Sequence, residues 1–520
     1  MIKVFDSIKR IFSLSEDNKT EQLPKENNNK ELSEVFKVSD ALIENKEYIM
    51  KSFKSSTDLV VKKLKIANNP KISALLVYID GMIKESDVSE IIIDKLSHTQ
   101  NNKTYPEDSL EYSRYILGVE DRDIFSDMNK VINAILKGKV ILFINGICKA
   151  ISISIKNPPS RAIEEPQVET VMRGPREGFT ESIATNIVLL RKKIKNINFS
   201  VEPFVLGKET QTDVAIVYLS NIADEKIVNE VRERINKIDI DFVLGTNYIK
   251  EFIEDAPSSS FPTIFSTERP EIAASKLLEG RVLILVEGTP LVSSVPAIFL
   301  EFMLTSDDFY LKYFVGTFNR WIRYISFIIS LTLPAVYVAI TTFHQELIPT
   351  ALVTTFIKAR SGIPYPTMFE CFMMLLVYEI LREAGVRIPR TAGQAISIVG
   401  ALVLGQAAVD AGLVSTPMVI VVATTAISSY AVPSVDMSFA LTFPRIIFLI
   451  LGGTLGLIGL MCGLVIFTMR LMSIRSFGVP YLWPLAPLSS KSLPDLFIRY
   501  PFSVKNKISK SLAKSIRRKS

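Results

Sequence analysis

Four carboxylates stand in or beside long apolar runs: Glu370, Glu379, Asp410 and Asp436. An ionised carboxylate in hydrocarbon costs several kcal/mol unless it is paired or hydrated. Such a group either serves an ion path or gate, or a neighbour neutralises it. Glu379 has Arg382 on the same helix face and can pair with it. Glu370 has no local partner and leads the candidates for a pore or cavity residue, with Glu379 and Asp410 behind it. Asp410 and Asp436 fall near helix ends, where snorkelling to the interface is the plainer reading. His344, with Gln345 and Glu346 just past an apolar run, reads as an interfacial polar cluster rather than a proton relay.

A second constellation is the turn RGPREG, with Arg173, Gly174, Pro175, Arg176 and Gly178. Two arginines on a Gly-rich turn ahead of a helix can hold an anion. They can equally pair with Glu164, Glu165 or Glu169 in a tight connection between subdomains. Thr180 is a good N-cap for the helix that follows, which carries Ile183, Ile187, Leu190 and Ile194 on one face. A third pattern is the spacing of Gly452, Gly456, Gly459 and Gly463 at i, i+4, i+7 and i+11. On one continuous helix these form a small-residue stripe for close packing, within the subunit or between subunits.

Enzyme chemistry finds little footing. The chain has two histidines, far apart, and no nucleophile elbow, zinc-type His/Glu cluster or phosphate loop. Cys148, Cys371 and Cys462 give neither a disulfide framework nor a metal spacing, and they suit a reducing compartment for the soluble part. No catalytic residue, metal or cofactor is expected.

The elements that must position these residues divide the 520-residue chain in two. The mean hydropathy of +0.27 averages a charged first part and a nearly neutral stretch between Arg323 and Arg470. The fold class is an α/β soluble N-terminal region of two related subdomains, followed by an all-α polytopic membrane bundle. Residues 1–38 read as a disordered or amphipathic arm, with Phe5, Ile8 and Phe12 at helical spacing. Residues 39–160 form a first α/β subdomain, 161–196 the connecting segment and 197–290 a second α/β subdomain. Residues 291–475 form a membrane domain of four to six spans, and 476–520 a basic tail. The duplication rests on two pairs of segments: Ser73–Asp80 with Asp213–Ser220, and Asn133–Gly146 with Ser275–Gly288. In each pair the spacing is about 140 residues. The helix at 87–96 has its counterpart at 224–235.

A spanning helix needs about 20 mostly apolar residues. Residues 321–343, 395–415, 417–435 and 446–469 qualify; 363–380 spans only if Glu370 and Glu379 face protein or water. Val282–Leu304 and His344–Ile357 are weaker candidates. Arg382, Arg387, Arg390 and Arg445 border short loops, and the stretch Lys491–Lys519 carries nine Lys or Arg against one Asp. By the positive-inside rule both the N-terminal part and the tail are cytosolic. An even number of spans follows, against five clear candidates.

The strings RGPREGFTES at 173–182, EGTPLVSSVPAIFLEFM at 287–303, TTFHQELIP at 341–349, EILREAGVRIPR at 379–390 and RSFGVPYLWPLAP at 475–487 resemble the A subunit of GerA-type spore germinant receptors. The resemblance runs from about residue 40 to 500. It implies a protein of the spore inner membrane with a cytosolic N-terminal region of two subdomains. It implies a transporter-like B subunit that binds the nutrient, a lipoprotein C subunit and a homo-oligomer. It also implies an ion-conducting pathway opened when the B subunit binds its germinant. The alternative is a non-conducting membrane scaffold that assembles the receptor and recruits cytosolic partners. No nucleic-acid surface is expected.

Overall fold

The computed structural model describes residues 36–53, 56–65, 73–83, 85–94, 122–155, 166, 169, 171, 173–387, 405–489 and 496–501. The arm up to residue 35, residues 395–404 of the expected span at 395–415, Glu164, Glu165 and most of the basic tail lie outside them. The chain divides into two compact units. One holds the first sheet, and the other holds the second sheet together with the helical half.

The first sheet has strands β1 Leu59–Lys65, β2 Ser73–Ile79, β3 Arg122–Phe125, β4 Val140–Ile144 and β5 Ala150–Ile153, in the order β1-β2-β4-β5-β3. The second has β6 Phe199–Leu206, β7 Thr212–Leu219, β8 Phe265–Thr267, β9 Val282–Val286 and β10 Val292–Val295, in the order β6-β7-β9-β10-β8. The two orders are the same, and β2–β4 and β7–β9 are both antiparallel. Each central strand is an unbroken apolar run because both faces are covered; β4 and β9 are buried along their whole length.

The duplication reaches down to single hydrogen bonds. Helices α1 Leu42–Phe53 and α2 Met128–Leu136 of the first repeat match α3 Ile183–Lys193 and α6 Pro270–Leu278 of the second. Ahead of α1, Asn45 accepts from the Ser39 N–H at 3.0 Å and donates to its carbonyl at 2.7 Å. Ahead of α3, Asn186 does the same with Thr180 at 2.8 and 2.6 Å. Gly146 donates to the Asp40 carbonyl and Gly288 to that of Glu181. Both glycines have positive φ, 83° and 84°, as the turn after β4 and β9 requires. The helix expected at 87–96 is a short turn, Glu85–Val88, running into a π-helical stretch, Ser89–Ile93.

Helices α4 Glu225–Asn236 and α5 Thr246–Ile253 complete the second repeat. Asp224 caps α4, accepting from the Lys226 N–H at 3.0 Å; α4 turns Ile227, Val228, Val231 and Ile235 inward. Val282–Leu304 is not a membrane segment. It forms β9, β10 and a 3₁₀ turn, Phe299–Met303, so the sheet runs past the boundary expected at 290.

The helical half comprises α7 Tyr313–Phe343, α8 Thr350–Arg360, α9 Thr367–Arg387, α10 Thr416–Tyr430 and α11 Thr442–Ser473. Among the described residues two helical stretches, Tyr313–Phe343 and Val435–Ser473, are long and apolar enough to cross a membrane. The second is not one straight span. Gly456 has φ 66° and ψ −149°, which breaks α11 into arms 442–455 and 457–473. The arms fold back on each other, since the rings of Phe448 and Phe467 lie 5.6 Å apart. The expected single span at 446–469 is thus a helical hairpin. Its chemistry hides the break, because the run is apolar throughout and glycine carries no other signal.

The returning arm leads into β11 Arg475–Ser476 and β12 Val479–Pro480, which dock onto the second sheet subdomain rather than trailing off as a tail. Ser476 Oγ donates to the Thr263 carbonyl at 2.7 Å and accepts from the Ala297 N–H at 3.0 Å. Phe477 packs into the sheet core, under the Arg234 guanidinium at 4.4 Å. Tyr324 Oη donates to the Leu496 carbonyl, and Phe497 stacks beside Trp321 and Tyr324.

Candidate functional site

The bundle sets its helices by where their residues meet. On α11, Arg445 lies against Ser330 of α7, Gly452 against Ala335, and Gly456 beside Phe343 and His344. The first arm therefore runs parallel to α7. Met368 lies by Gly453, Glu379 by Arg445 and Arg382 by Thr442, so α9 runs the opposite way. Ser415 meets Glu370 and Ser429 meets Tyr378, so α10 runs with α9.

Glu370 is buried to 1% exposure where α8, α9 and α10 meet. Its Oε1 accepts from both the backbone N–H and the hydroxyl of Ser415, each at 2.6 Å. Ser415 is the N-cap of α10, so Glu370 completes that helix's start. Its Oε2 makes no hydrogen bond and lies 4.0 Å from Arg360 Nε. Glu370 is therefore a partnered capping residue within one subunit. The sequence missed the partners because they lie 45 positions downstream, at Ser415, and in a different helix, at Arg360.

Glu379 pairs with Arg382 at 2.5 Å, as its helix position allows, and also with Arg445 at 3.1 Å. Arg445 is fully buried and donates to the Ser330 carbonyl and hydroxyl, both at 2.9 Å. Arg382 in turn lies over the Phe439 ring at 4.5 Å. One carboxylate thus ties α7, α9 and α11 together. Asp410 is exposed and takes a hydrogen bond from Gln406 at 3.0 Å. The structure does not bring Glu370, Glu379 and Asp410 to one site. His344 sits at the hairpin tip, its Nδ1 3.5 Å from the Ala339 carbonyl, and Gln345 donates to the Thr341 carbonyl.

The glycine stripe takes a different form from the one expected. Gly452, Gly456, Gly459 and Gly463 do not share one helix face, because Gly456 is the reversal. Gly452 lets the first arm approach the α7 backbone at Ala335, while Gly459 and Gly463 on the second arm press against Leu451 and Phe448 of the first. The close packing is within the subunit.

In the turn, Arg173 and Arg176 are exposed, while Gly178 is buried. Gly174 has φ +133° and lies against the Tyr310 ring. The arginine that organises the segment is Arg269, buried to 1%, which donates to the carbonyls of Glu169 and Pro175 at 2.8 and 2.5 Å. Glu169 is held by the Thr267 hydroxyl at 2.5 Å and the Glu268 N–H at 3.3 Å. Burial pushes its carboxyl up to about 7, against the lowering effect of those two hydrogen bonds. Ser182, not Thr180, occupies the N-cap of α3, and Glu287 supplies the cap by accepting from the Ile183 N–H at 2.7 Å.

Three further buried charge groups had no local sequence signal. Asp308, with no exposure, takes Arg320 at 3.0 Å and Arg323 at 2.7 Å at the start of α7. Asp58 holds Arg191 through two bonds of 2.8 Å. Glu301 lies between Lys276, in direct contact, and Arg281 at 3.3 Å. Burial alone would raise the Glu301 carboxyl, but Arg281 and Lys276 outweigh it and hold the group below the usual range.

The sequence pattern of the Bacillus/Clostridium GerA spore germination protein family matches residues 47–511. The chain is 41% identical over 479 residues to spore germination protein KA of Bacillus subtilis (strain 168), spanning 92% of this chain and 88% of that protein. It is 33% identical over 475 residues to spore germination protein GerLA of Bacillus cereus, spanning 91% and 96%. Among solved structures it is similar to the N-terminal domain of the A subunit of the Bacillus megaterium spore germinant receptor GerK3. That match has a TM-score of 0.40 and 31% identity, over 51% of this chain and 98% of that one.

Proposed function

Because the chain belongs to the GerA spore germination protein family, we propose that it is the A subunit of a nutrient germinant receptor in the spore inner membrane. In this reading a transporter-like B subunit binds the nutrient, a lipoprotein C subunit completes the receptor, and this chain converts binding into germination. One observation supports the transducing role above the rest. The second sheet subdomain and the helical bundle share a core, in which Phe261, Phe265 and Phe299 pack with Phe327, Phe448 and Tyr481. A displacement of either part therefore loads the other.

The helix directions support a bundle that ends on the side where it starts. Counted in order, α7 leads away from the sheet, α9 returns, α10 returns again from the opposite end, and the two arms of α11 lead out and back. Arg382, Arg470 and Arg475 fall at the sheet end, which suits a cytosolic N-terminal region. With 31 residues, α7 is about 46 Å long against a hydrocarbon core of about 30 Å. Its exposed Tyr313, Phe314, Phe318 and Trp321 then form an interfacial belt.

In the primary reading several copies form a gated cation conduit. The pairing of Glu379 with Arg382 and Arg445, and of Glu370 with Ser415 and Arg360, favours a second reading, in which the bundle is a non-conducting scaffold. Cation release from liposomes holding this chain with its B and C partners separates the two. Release that appears only with nutrient supports the conduit. Silence across a broad nutrient panel, with assembly confirmed, leaves the scaffold.

A further inference from the structure

Helix α5 faces the bundle across an open cleft of about 420 Å³. One wall carries Lys250, Glu251 and Glu254; the other carries Asp436, Phe439 and Phe443. Asp436 and Phe439 belong to the short helix Val435–Ala440 that leads into α11. Lys250 is the member without an adequate partner. Its side chain is only 16% exposed, and Nζ stands 3.9 Å from Asp436 Oδ2, too far for a hydrogen bond. Burial pushes its ammonium below the ordinary lysine value, and the attraction of Asp436 and Glu254 does not restore it. Glu254 is already engaged, since its Oε1 accepts from the Thr263 N–H at 3.3 Å and hydroxyl at 2.8 Å. A largely buried cation with so little counter-charge is matched by an anionic oxygen from outside the chain.

That oxygen does not come as a lone anion. Glu251, Glu254 and Asp436 give the cleft more negative than positive charge and repel one. A group with an ammonium beside a phosphate satisfies both signs, the phosphate on Lys250 and the ammonium on Asp436. The apolar wall adds a third requirement. Phe443 is 70% exposed, and Ile447 and Ile450 continue its exposed face at i+4 and i+7 along the first arm of α11. The register with α7 sets the depth, because Arg445 lies against Ser330 and Gly452 against Ala335. At 1.5 Å per residue, Phe443 is then roughly 10 Å past the level of Trp321 on α7. With Trp321 in the interfacial belt, the charged half of the cleft falls among headgroups and the stripe from Phe443 onward falls in hydrocarbon.

We propose that this cleft binds one phosphatidylethanolamine, its phosphate on Lys250, its ammonium on Asp436 and an acyl chain along Phe443, Ile447 and Ile450. This inference rests on the membrane reading above. A lipid seated there bridges the second sheet subdomain and the segment that opens α11.

The test uses the full chain reconstituted in vesicles of equimolar phosphatidylethanolamine, phosphatidylcholine and phosphatidylglycerol. After mild solubilisation, native mass spectrometry counts the lipids that stay on the chain. The parent should retain one phosphatidylethanolamine in preference to the other two lipids. Lys250→Met should lower that occupancy about tenfold, the order that a hydrogen bond to a charged group supplies. Asp436→Asn should cut the preference over phosphatidylcholine, whose quaternary ammonium has no N–H to donate. Lys237→Met, at an exposed position just past α4, should change neither, and thermal unfolding checks that each variant is folded. Retention that is unchanged in both cleft variants overturns the proposal, as does a preference for phosphatidylglycerol or the loss of all lipid from the parent. In each of those cases the chain still floats with the vesicles and the membrane reading stands. A chain that does not float with them removes the membrane reading itself.

Discussion

At the scale of the residue, the acids that attract attention in the sequence are held by structure. Glu370 supplies the cap of α10, with two 2.6 Å hydrogen bonds to Ser415. A glutamine there keeps an acceptor oxygen in place, whereas alanine leaves a buried N–H and hydroxyl unsatisfied. Glu370→Ala should lose about 1–3 kcal/mol of stability and Glu370→Gln much less. Thermal unfolding of the detergent-solubilised chain measures both. Equal losses would mean that the charge, not the acceptor, is what the site needs, and would return Glu370 to the candidates for an ion path. Sequence spacing exposed the Glu379–Arg382 pair because its members share a helix turn. It gave no sign of Arg445, which reaches Glu379 and Ser330 from 66 and 115 positions away.

At the scale of the element, what was legible follows from periodicity. The buried strands and the duplication show as apolar runs that recur, and the structure repeats even the Asn45 and Asn186 bonds. The hairpin was illegible for the same reason, since both arms are apolar and helical and the reversal needs only one glycine. Gly456 adopts a conformation that side chains rarely take, and a Cβ there would stand 2.7 Å from His344 Cε1. Gly456→Ala should cost on the order of 1–3 kcal/mol from backbone strain alone. The hairpin itself has a sharper test. On a straight helix positions 448 and 467 would lie about 28 Å apart, whereas their rings are 5.6 Å apart in the structure. Cysteines introduced at both positions should be joined by a short bismaleimide in the folded protein. Failure to join them, with each cysteine labelling freely, would restore a single continuous span.

At the scale of the whole molecule, the issue is how the second sheet subdomain is coupled to the bundle. Apolar packing supplies one link, and the buried group of Glu301, Lys276 and Arg281 supplies a directional one. Lys276 belongs to α6 and Arg281 leads into β9, while Glu301 sits in the turn that precedes α7. Glu301 also accepts from the Ile298 N–H at 3.2 Å, which closes that turn. Glu301→Gln leaves two buried cations facing each other, with Glu279 at 3.8 Å from each as the remaining counter-charge. Breaking a buried group in this way costs about 3–5 kcal/mol. The pH dependence has a definite sign. The folded carboxyl lies below its unfolded value, so its contribution is full above the unfolded pKa and is lost as pH falls through the folded one. Hydrogen exchange on the full chain distinguishes coupling from local damage. If the group transmits load, Glu301→Gln should speed exchange in α6 and β9 and equally in the first turns of α7. Faster exchange confined to residues 299–303 would show that the subdomain and the bundle are joined by apolar packing alone, and the charged link would then carry no signal between them.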